Sequence, residues 1–507
     1  MINFQCSSMP QIVEFLKKHW FLLLSFLYFL TRLFNLLTLP IFNDEAIYID
    51  WANKMRFGYV PTFYSLYDGK PPLHFILISQ ALKVFANPLL AGRLVSVFIG
   101  FSTLIVLKKI SEAVFDKREG VFLVCVFYIL SPIYTFFDRQ ALQEPVLTTF
   151  LLWSFYFLIK YSQKFRVKDI IFSALFLNLA FFTKASAAYL LGPICLYFIY
   201  KFFVDPKNRN NIFLSAVCYF CVFICLLAPL MLQEQAHLIF TRNDRYLLSL
   251  NLPPAVFLKI LIDNLVKSFH LFLWYFNVYL LFFVISLVSF LRKVRSSELK
   301  IFFLFMLPLI IMIFTSKEIN DRYIAPFSIF LIFICAAGFT AVNNSLRIFF
   351  YFTLIVPALI TFFQIININS YISLLNKSYP HLGLSIYQNG FTSGYGVTHA
   401  ITYLQSLESS HRKLYLGVRV DAGNPESAVM AYFLKDKKAT VVPMYFDARL
   451  IKLPLPDDFV GNIYPFYFIS RDDNLAGMDK YLTLVKKFFK PDGVSFVGIY
   501  KYQKSKS

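Results

Sequence analysis

Apolar residues run through the first two thirds of this chain in long blocks, and polar residues gather in short gaps between them. A helix needs about 17–25 apolar residues to cross the ~30 Å hydrocarbon layer of a bilayer. By that measure about eleven spans are expected, at 18–39, 91–110, 119–137, 145–162, 168–184, 186–204, 212–233, 270–291, 299–316, 323–341 and 346–367. The first block, "FLLLSFLYFLTRLFNLLTL", has no small-residue cleavage site and many spans follow it, so it reads as an uncleaved anchor. After residue 372 the pattern changes. "GVTHAITYLQSLES" and "LAGMDKYLTLVKKFF" have helical periodicity, whereas "KLYLGVRV", "ATVVPMYF", "YPFYFIS" and "VSFVGIYKY" read as strands. The expectation is a polytopic α-helical membrane domain, 1–372, followed by a small α/β domain, 373–507. No repeat at a fixed period and no low-complexity tract interrupts this plan.

The cations set the orientation. Lys17, Lys18, Lys108, Lys109, Lys117, Arg118, Lys160, Lys164, Arg166 and Lys168 fall in alternate gaps. Lys201, Lys207, Arg209, Arg292, Lys293, Arg295, Lys300 and Arg347 continue the same alternation. The positive-inside rule makes that side cytoplasmic, the N-terminus included. Residues 40–90, 138–144, 234–269, 317–322 and the C-terminal domain then lie outside. The net charge of +20 belongs to these clusters, which argues against nucleic acid as a partner. The chain is 58% hydrophobic and only 15% charged, beyond the range of soluble domains. Six of the seven cysteines lie in apolar runs and Cys6 lies in the N-terminal tail, so neither a disulfide framework nor a zinc site is implied.

Candidate chemistry gathers on the outer side. "FNDEAIYIDW" puts Asp44 and Glu45 directly after the first span, at the head of the outer loop 40–90. Asp138, Arg139 and Glu144 leave the membrane in "FFDRQALQEP", Lys184 in "FFTKAS" and Arg322 in "NDRYIAP". Each alone reads as a loop charge or a snorkelling anchor. Together they place carboxylates and cations at one surface, where ionisable groups at span ends face protein or water rather than lipid. "DGKPPLHF" adds Lys70, presented by a backbone that Pro71 and Pro72 stiffen. His74 and His270 have no second ligand at useful spacing and read as structural. Glycines and a serine in "TSGYG" (392–396) read as an ordinary turn and cap before a helix.

The order of "NDEAIYIDWANKM", "GKPPLHF", "RQALQEPVLTTF", "FFTKASAAYLLGP" and "DRYIAPFSIF" resembles the GT-C glycosyltransferases. Within them the chain is most similar to the bacterial branch related to protein O-mannosyltransferases and the lipid A aminoarabinose transferase. The resemblance covers about residues 18–340 and is strongest over 40–195. It implies transfer of a sugar from a polyprenyl-phosphate donor to a lipid, glycan or protein acceptor at the outer face of the cell membrane. It also implies Asp44 as general base, Glu45 as its orienting neighbour and Glu144 as the second acid, where the family usually has Asp. Lys70, Lys184 and Arg322 match basic positions associated with donor phosphate, with Arg139 as a fourth and the Tyr323 hydroxyl as a further hydrogen-bonding group. In the aminoarabinose branch an acid directly before the lysine helps hold a metal. Here that residue is Gly69, with Asp68 one place further back, so no cofactor is expected and a divalent metal is unsupported. The chemistry is coherent without the family: a departing phosphate needs cations and an incoming hydroxyl needs a base. A transporter or flippase of lipid-linked saccharides is the rival reading, but transporters place their charges nearer the bilayer midplane.

Overall fold

The computed structural model describes residues 9–249, 251–291, 297–342, 344–420, 422–444, 464–471, 475 and 481–503. Cys6, Arg292, Lys293 and Arg295 lie outside them, as does the 476–480 part of the second expected C-terminal helix. Among the described residues, the named elements up to residue 378 are all helices, and the C-terminal part carries one sheet.

Among the described residues, five helices are long and apolar enough to cross a membrane: Pro88–Val114, Ala185–Val204, Pro206–Met231, Asp321–Ala341 and Arg347–Ile366. A sixth results if the bent pair Pro254–Phe276 and Tyr279–Val288 counts as one span. The chain is thus a multi-pass membrane protein. Several apolar runs are divided where the sequence analysis expects single helices. The run 270–291 bends by 109°, with Asn277 at a positive φ of 33°. The run 119–137 breaks between Arg118–Ile129 and Pro132–Phe137, because Pro132 has no N–H to continue the ladder. Within 299–316, Ser297–Phe305 ends one residue before Leu307–Thr315, whose second residue is Pro308. The expected domain boundary at 372/373 falls inside the helix Ile368–Ser378.

Outside these runs the loop 40–90 folds into two helices, Asn43–Arg56 and Leu73–Ala81, joined by a short 3-10 turn, Tyr64–Asp68. The first is buried along most of its length, including Ala46, Ile49 and Ala52, so it is part of the core and not a free surface helix.

The C-terminal sheet has the order β2-β1-β3-β5-β4, with β1 Leu414–Arg419, β2 Ala439–Met444, β3 Phe466–Ser470, β4 Leu482–Phe489 and β5 Phe496–Tyr502. β1 lies parallel to both β2 and β3, and β5 is antiparallel to β3 and β4. The helix Glu426–Phe433 makes the crossover from β1 to β2, and Val397–Ser410 precedes β1. One expectation is corrected: residues 482–489, given a helical period above, form the edge strand β4. "LTLVKKFF" has β-branched and aromatic residues, and the open edge of β5 takes it into an antiparallel ladder. The ladder carries an irregularity between Leu484 and Lys486.

Candidate active site

Asp44 and Glu45 stand in the first turn of Asn43–Arg56, yet their side chains go to different places. Glu45 is wholly buried. Its Oε1 accepts from Arg93 Nε at 2.9 Å and from the Ala141 N–H at 2.7 Å. Its Oε2 accepts from Arg93 Nη2 at 2.7 Å and reaches back to the Phe42 N–H at 3.0 Å, capping its own helix. Arg93 spends its remaining donors on the carbonyls of Leu36, Leu39 and Pro40. Glu45 therefore joins three segments and faces no solvent.

Asp44 is about a quarter exposed and ion-paired through Oδ2 to Nη1 of Arg322. Arg322 sits in the first turn of Asp321–Ala341, a helix capped by the Asn320 side chain. Its Nε donates to Glu144 Oε1 at 3.0 Å. Glu144 opens the helix Gln143–Lys164, and the same Oε1 also accepts from Lys184 Nζ at 2.8 Å. Lys184 is in extended backbone between Val167–Thr183 and the 3-10 turn Ala185–Leu190, which lets its ammonium leave the helix axis and lie 5.7 Å over the Tyr323 ring. Four separate segments thus converge on one chain of charges, Asp44–Arg322–Glu144–Lys184. Glu144 Oε2 is buried with no hydrogen-bond partner, a donor-seeking oxygen at the centre of the cluster.

Lys70 completes the rim. The αL conformation of Gly69 (φ +69°) turns the chain out of the 3-10 turn, and Lys70 Nζ pairs with Asp68 while lying 5.5 Å from the Trp51 ring and 5.9 Å from that of Tyr48. It is a quarter exposed and near enough to Asp44 to act on its charge. Burial by itself would raise the Asp44 carboxyl, but Arg322 and then Lys70 outweigh it and hold the group below the usual carboxylate range. Asp44 is consequently ionised at neutral pH.

Arg139 points elsewhere. Its Nη2 donates to the carbonyls of Phe34 and Asn35, both at 2.8 Å, and it lines a small cavity of about 20 Å³ with Arg93, Gln140 and Gln364. Asp138 pairs with Arg32 and accepts from the Tyr128 hydroxyl at 2.8 Å, wholly within the helix bundle. His74 Nε2 lies 3.2 Å from the Ala141 carbonyl, and burial pulls its imidazole down to about 4, so it is neutral. The signals for Arg93 and Arg32 were present in the sequence: an arginine inside an apolar run is costly unless a buried acid meets it. Nothing in the sequence pattern paired them with Glu45 and Asp138.

Among the described residues, no three of His, Cys, Asp or Glu gather as metal ligands do. The acid that holds a metal in the aminoarabinose branch cannot be accommodated at Gly69, where even a Cβ would lie 2.5 Å from the Leu238 carbonyl. The residues present do not fit that metal.

Residues 69–231 match the family model of dolichyl-phosphate-mannose-protein mannosyltransferases. Among curated protein sequences none matches the chain. Of solved structures, ArnT from Cupriavidus metallidurans bound to undecaprenyl phosphate aligns over 95% of this chain and 98% of its own, with a TM-score of 0.59 and 10% identity. Its apo state gives the same coverage with a TM-score of 0.58 and 12% identity. The Archaeoglobus fulgidus oligosaccharyltransferase aligns over 97% of this chain and 75% of its own, with a TM-score of 0.54 and 13% identity. Identities this low bear on the fold. The chain has the fold of the GT-C glycosyltransferases, and it resembles the protein O-mannosyltransferases and ArnT among them.

Proposed function

We propose that this chain takes a sugar from a polyprenyl-phosphate donor and passes it to a lipid, glycan or protein acceptor at the outer face of the cell membrane. The observation that carries the reading is Arg322 held between Asp44 and Glu144, with Lys184 on the far side of the same acid. That arrangement has a partly exposed carboxylate, Asp44, beside a cluster of cations, as sugar transfer from a phosphate requires. Asp44 takes the proton of the acceptor hydroxyl. The acceptor oxygen bonds to the anomeric carbon as the bond from that carbon to the phosphate oxygen breaks. The electron pair stays on the polyprenyl phosphate, where Lys70, Lys184 and Arg322 offset its charge and the Tyr323 hydroxyl is a further donor. Glu144 keeps Arg322 and Lys184 in place. Arg139 takes no direct part, since its Nη2 donates to the carbonyls of Phe34 and Asn35 and the residue lines a separate small cavity with Arg93 and Gln140.

The membrane arrangement belongs to the proposal: eleven spans, some of them broken, a cytoplasmic N-terminus and an outer C-terminal domain beyond about residue 372. The ArnT structure contains undecaprenyl phosphate and an archaeal oligosaccharyltransferase structure contains dolichol-phosphate, which supports a lipid phosphate in the same fold.

Purified protein incubated with lipid-linked sugars, followed by mass analysis of the lipids, tests the reading and names the donor. Loss of the sugar and appearance of free polyprenyl phosphate are expected. Asp44→Asn should cut turnover by about 10²–10⁴-fold and leave donor binding intact. Near-normal transfer by Asp44→Asn would move the base elsewhere, and failure to consume any lipid-linked sugar would remove the proposal.

A further inference from the structure

The turn "TSGYG" and the loop after β1 meet the chain exactly one residue before Asp44, and the function above uses neither. The Asn43 N–H donates to the Thr392 carbonyl at 2.9 Å. The Asn424 N–H donates to Asn43 Oδ1 at 2.8 Å, and Asn424 Nδ2 donates to the Ile41 carbonyl at 3.0 Å. Asn43 and Asn424 are both buried, so water does not compete for these bonds. Two glycines permit the approach. A Cβ at Gly394 would overlap the Ile41 main chain, and one at Gly423, where φ is +126°, would lie 2.5 Å from Asn43 Oδ1.

The C-terminal side of this joint is rigid. Lys490, which is buried, reaches from the end of β4 to donate to the carbonyls of Gly390 at 2.6 Å and Ser393 at 2.8 Å. Ser393 Oγ donates to the Gln388 carbonyl at 2.7 Å, and Gln388 Nε2 donates to the Asn369 carbonyl at 2.9 Å. Packing extends the joint, with the Phe42 and Tyr387 rings 4.7 Å apart. A second contact between the same parts lies far along the helix, where Asn53 Nδ2 donates to the Ala431 carbonyl at 3.2 Å.

We propose that the C-terminal domain is a positioning element of the site, and that Asn424, Gly423 and the Thr392–Gly394 turn hold Ile41–Asn43 so that Asp44 meets Arg322. The inference rests on Asp44 being the base. Asn43 and Asn424 are positioning residues: Asn43 Nδ2 lies 3.5 Å from Asp44 Oδ1, and Asn424 acts through Asn43. Bonds on both flanks of Phe42 leave the first turn of the helix no freedom to rotate, and the direction of the Asp44 side chain follows from that turn. A misplacement on the order of 1 Å at a reacting group costs about 10²-fold in rate, so a loosened joint acts on turnover before it acts on binding.

The test uses the full-length protein in detergent or nanodiscs. Asn424→Ala and Gly423→Ala should each lower kcat by about 10–100-fold with donor KM within about twofold. The acid limb of kcat/KM should also move to higher pH, because an Asp44 no longer held against Arg322 loses the main influence that lowers its pKa. Asn53→Ala, which opens the remote contact, should lower thermal stability without moving that limb. If Asn424→Ala fails to accumulate, Asn43→Ser probes the same bond. Wild-type kcat and an unmoved limb in the Asn424 and Gly423 variants would overturn the proposal, as would an equal shift in Asn53→Ala. Should Asp44→Asn prove active, the base assignment itself falls, an outcome separate from a joint that opens without effect while Asp44 stays essential.

Discussion

At the scale of residues, the site turns on one guanidinium shared by two acids. Arg322 pairs with Asp44 and with Glu144, so a lipid phosphate entering beside Lys70 and Lys184 competes for the same donors. In the free protein Asp44 is held below the ordinary carboxylate value of about 3.9, chiefly because Arg322 and Lys70 outweigh its burial. A depressed carboxylate stays ionised until the pH falls through its folded pKa. The acid limb of kcat/KM, which reports the free enzyme, is therefore expected below the ordinary carboxylate range. In the donor complex the phosphate draws on Arg322 and the Asp44 pKa rises, so the limb of kcat should lie at higher pH than that of kcat/KM. Coincident limbs would show that the donor leaves the Asp44–Arg322 pair undisturbed. The sign for stability is the same: the contribution from the paired Asp44 is present above its unfolded pKa and is lost as pH falls through the folded one.

At the scale of elements, the Glu45–Arg93 pair ties the helix Asn43–Arg56 to Pro88–Val114 and to the turn at Ala141. Both side chains have no exposed surface. Removing one partner of such a pair strands a buried charge, at a cost of about 3–5 kcal/mol, whereas replacing both with apolar side chains is often neutral. Arg93→Leu should accordingly be less stable to heat in detergent than the double variant Arg93→Leu, Glu45→Leu. A double variant no more stable than the single one would show that the bonds to Ala141 and Phe42, and not the charge pair, dominate. This hub also explains why adjacent acids differ in role. Successive helical positions point about 100° apart, so Asp44 faces the mouth while Glu45 faces the core. The pair was legible as chemistry, but its division was not, because Arg93 stands 48 residues further on.

At the scale of the whole molecule, the joint at Asn43 makes the helical part and the C-terminal sheet one working unit. Membrane-impermeant label or protease added to intact cells or spheroplasts should reach the chain beyond residue 372 and spare the Lys164–Lys168 loop. Reversed accessibility would put Asp44 on the cytoplasmic side and remove the outer-face mechanism.

Much of this was readable from hydrophobic periodicity alone, since a bilayer accepts only segments that satisfy their own backbone and the apolar blocks announce them. Four of the five strands fell where alternation placed them, because β1, β2, β3 and β5 carry β-branched and aromatic residues. β4 was missed because its lysines and phenylalanines fit a helical period equally well, and only the open edge of β5 chose between them. The bend at Asn277 also belongs to tertiary structure, whereas Pro132 is a local signal that divides the run 119–137. The residue types of the site were determined by the sequence, and the alternation of cations gave the expectation that they share one side of the membrane. Arg322 meeting Asp44 across 278 positions, Glu45 turning inward to Arg93, and the docking of Asn424 on Asn43 were decided only by the fold. Each is a contact between distant segments, and local pattern encodes which residues want a partner but not which partner the packed chain brings within reach.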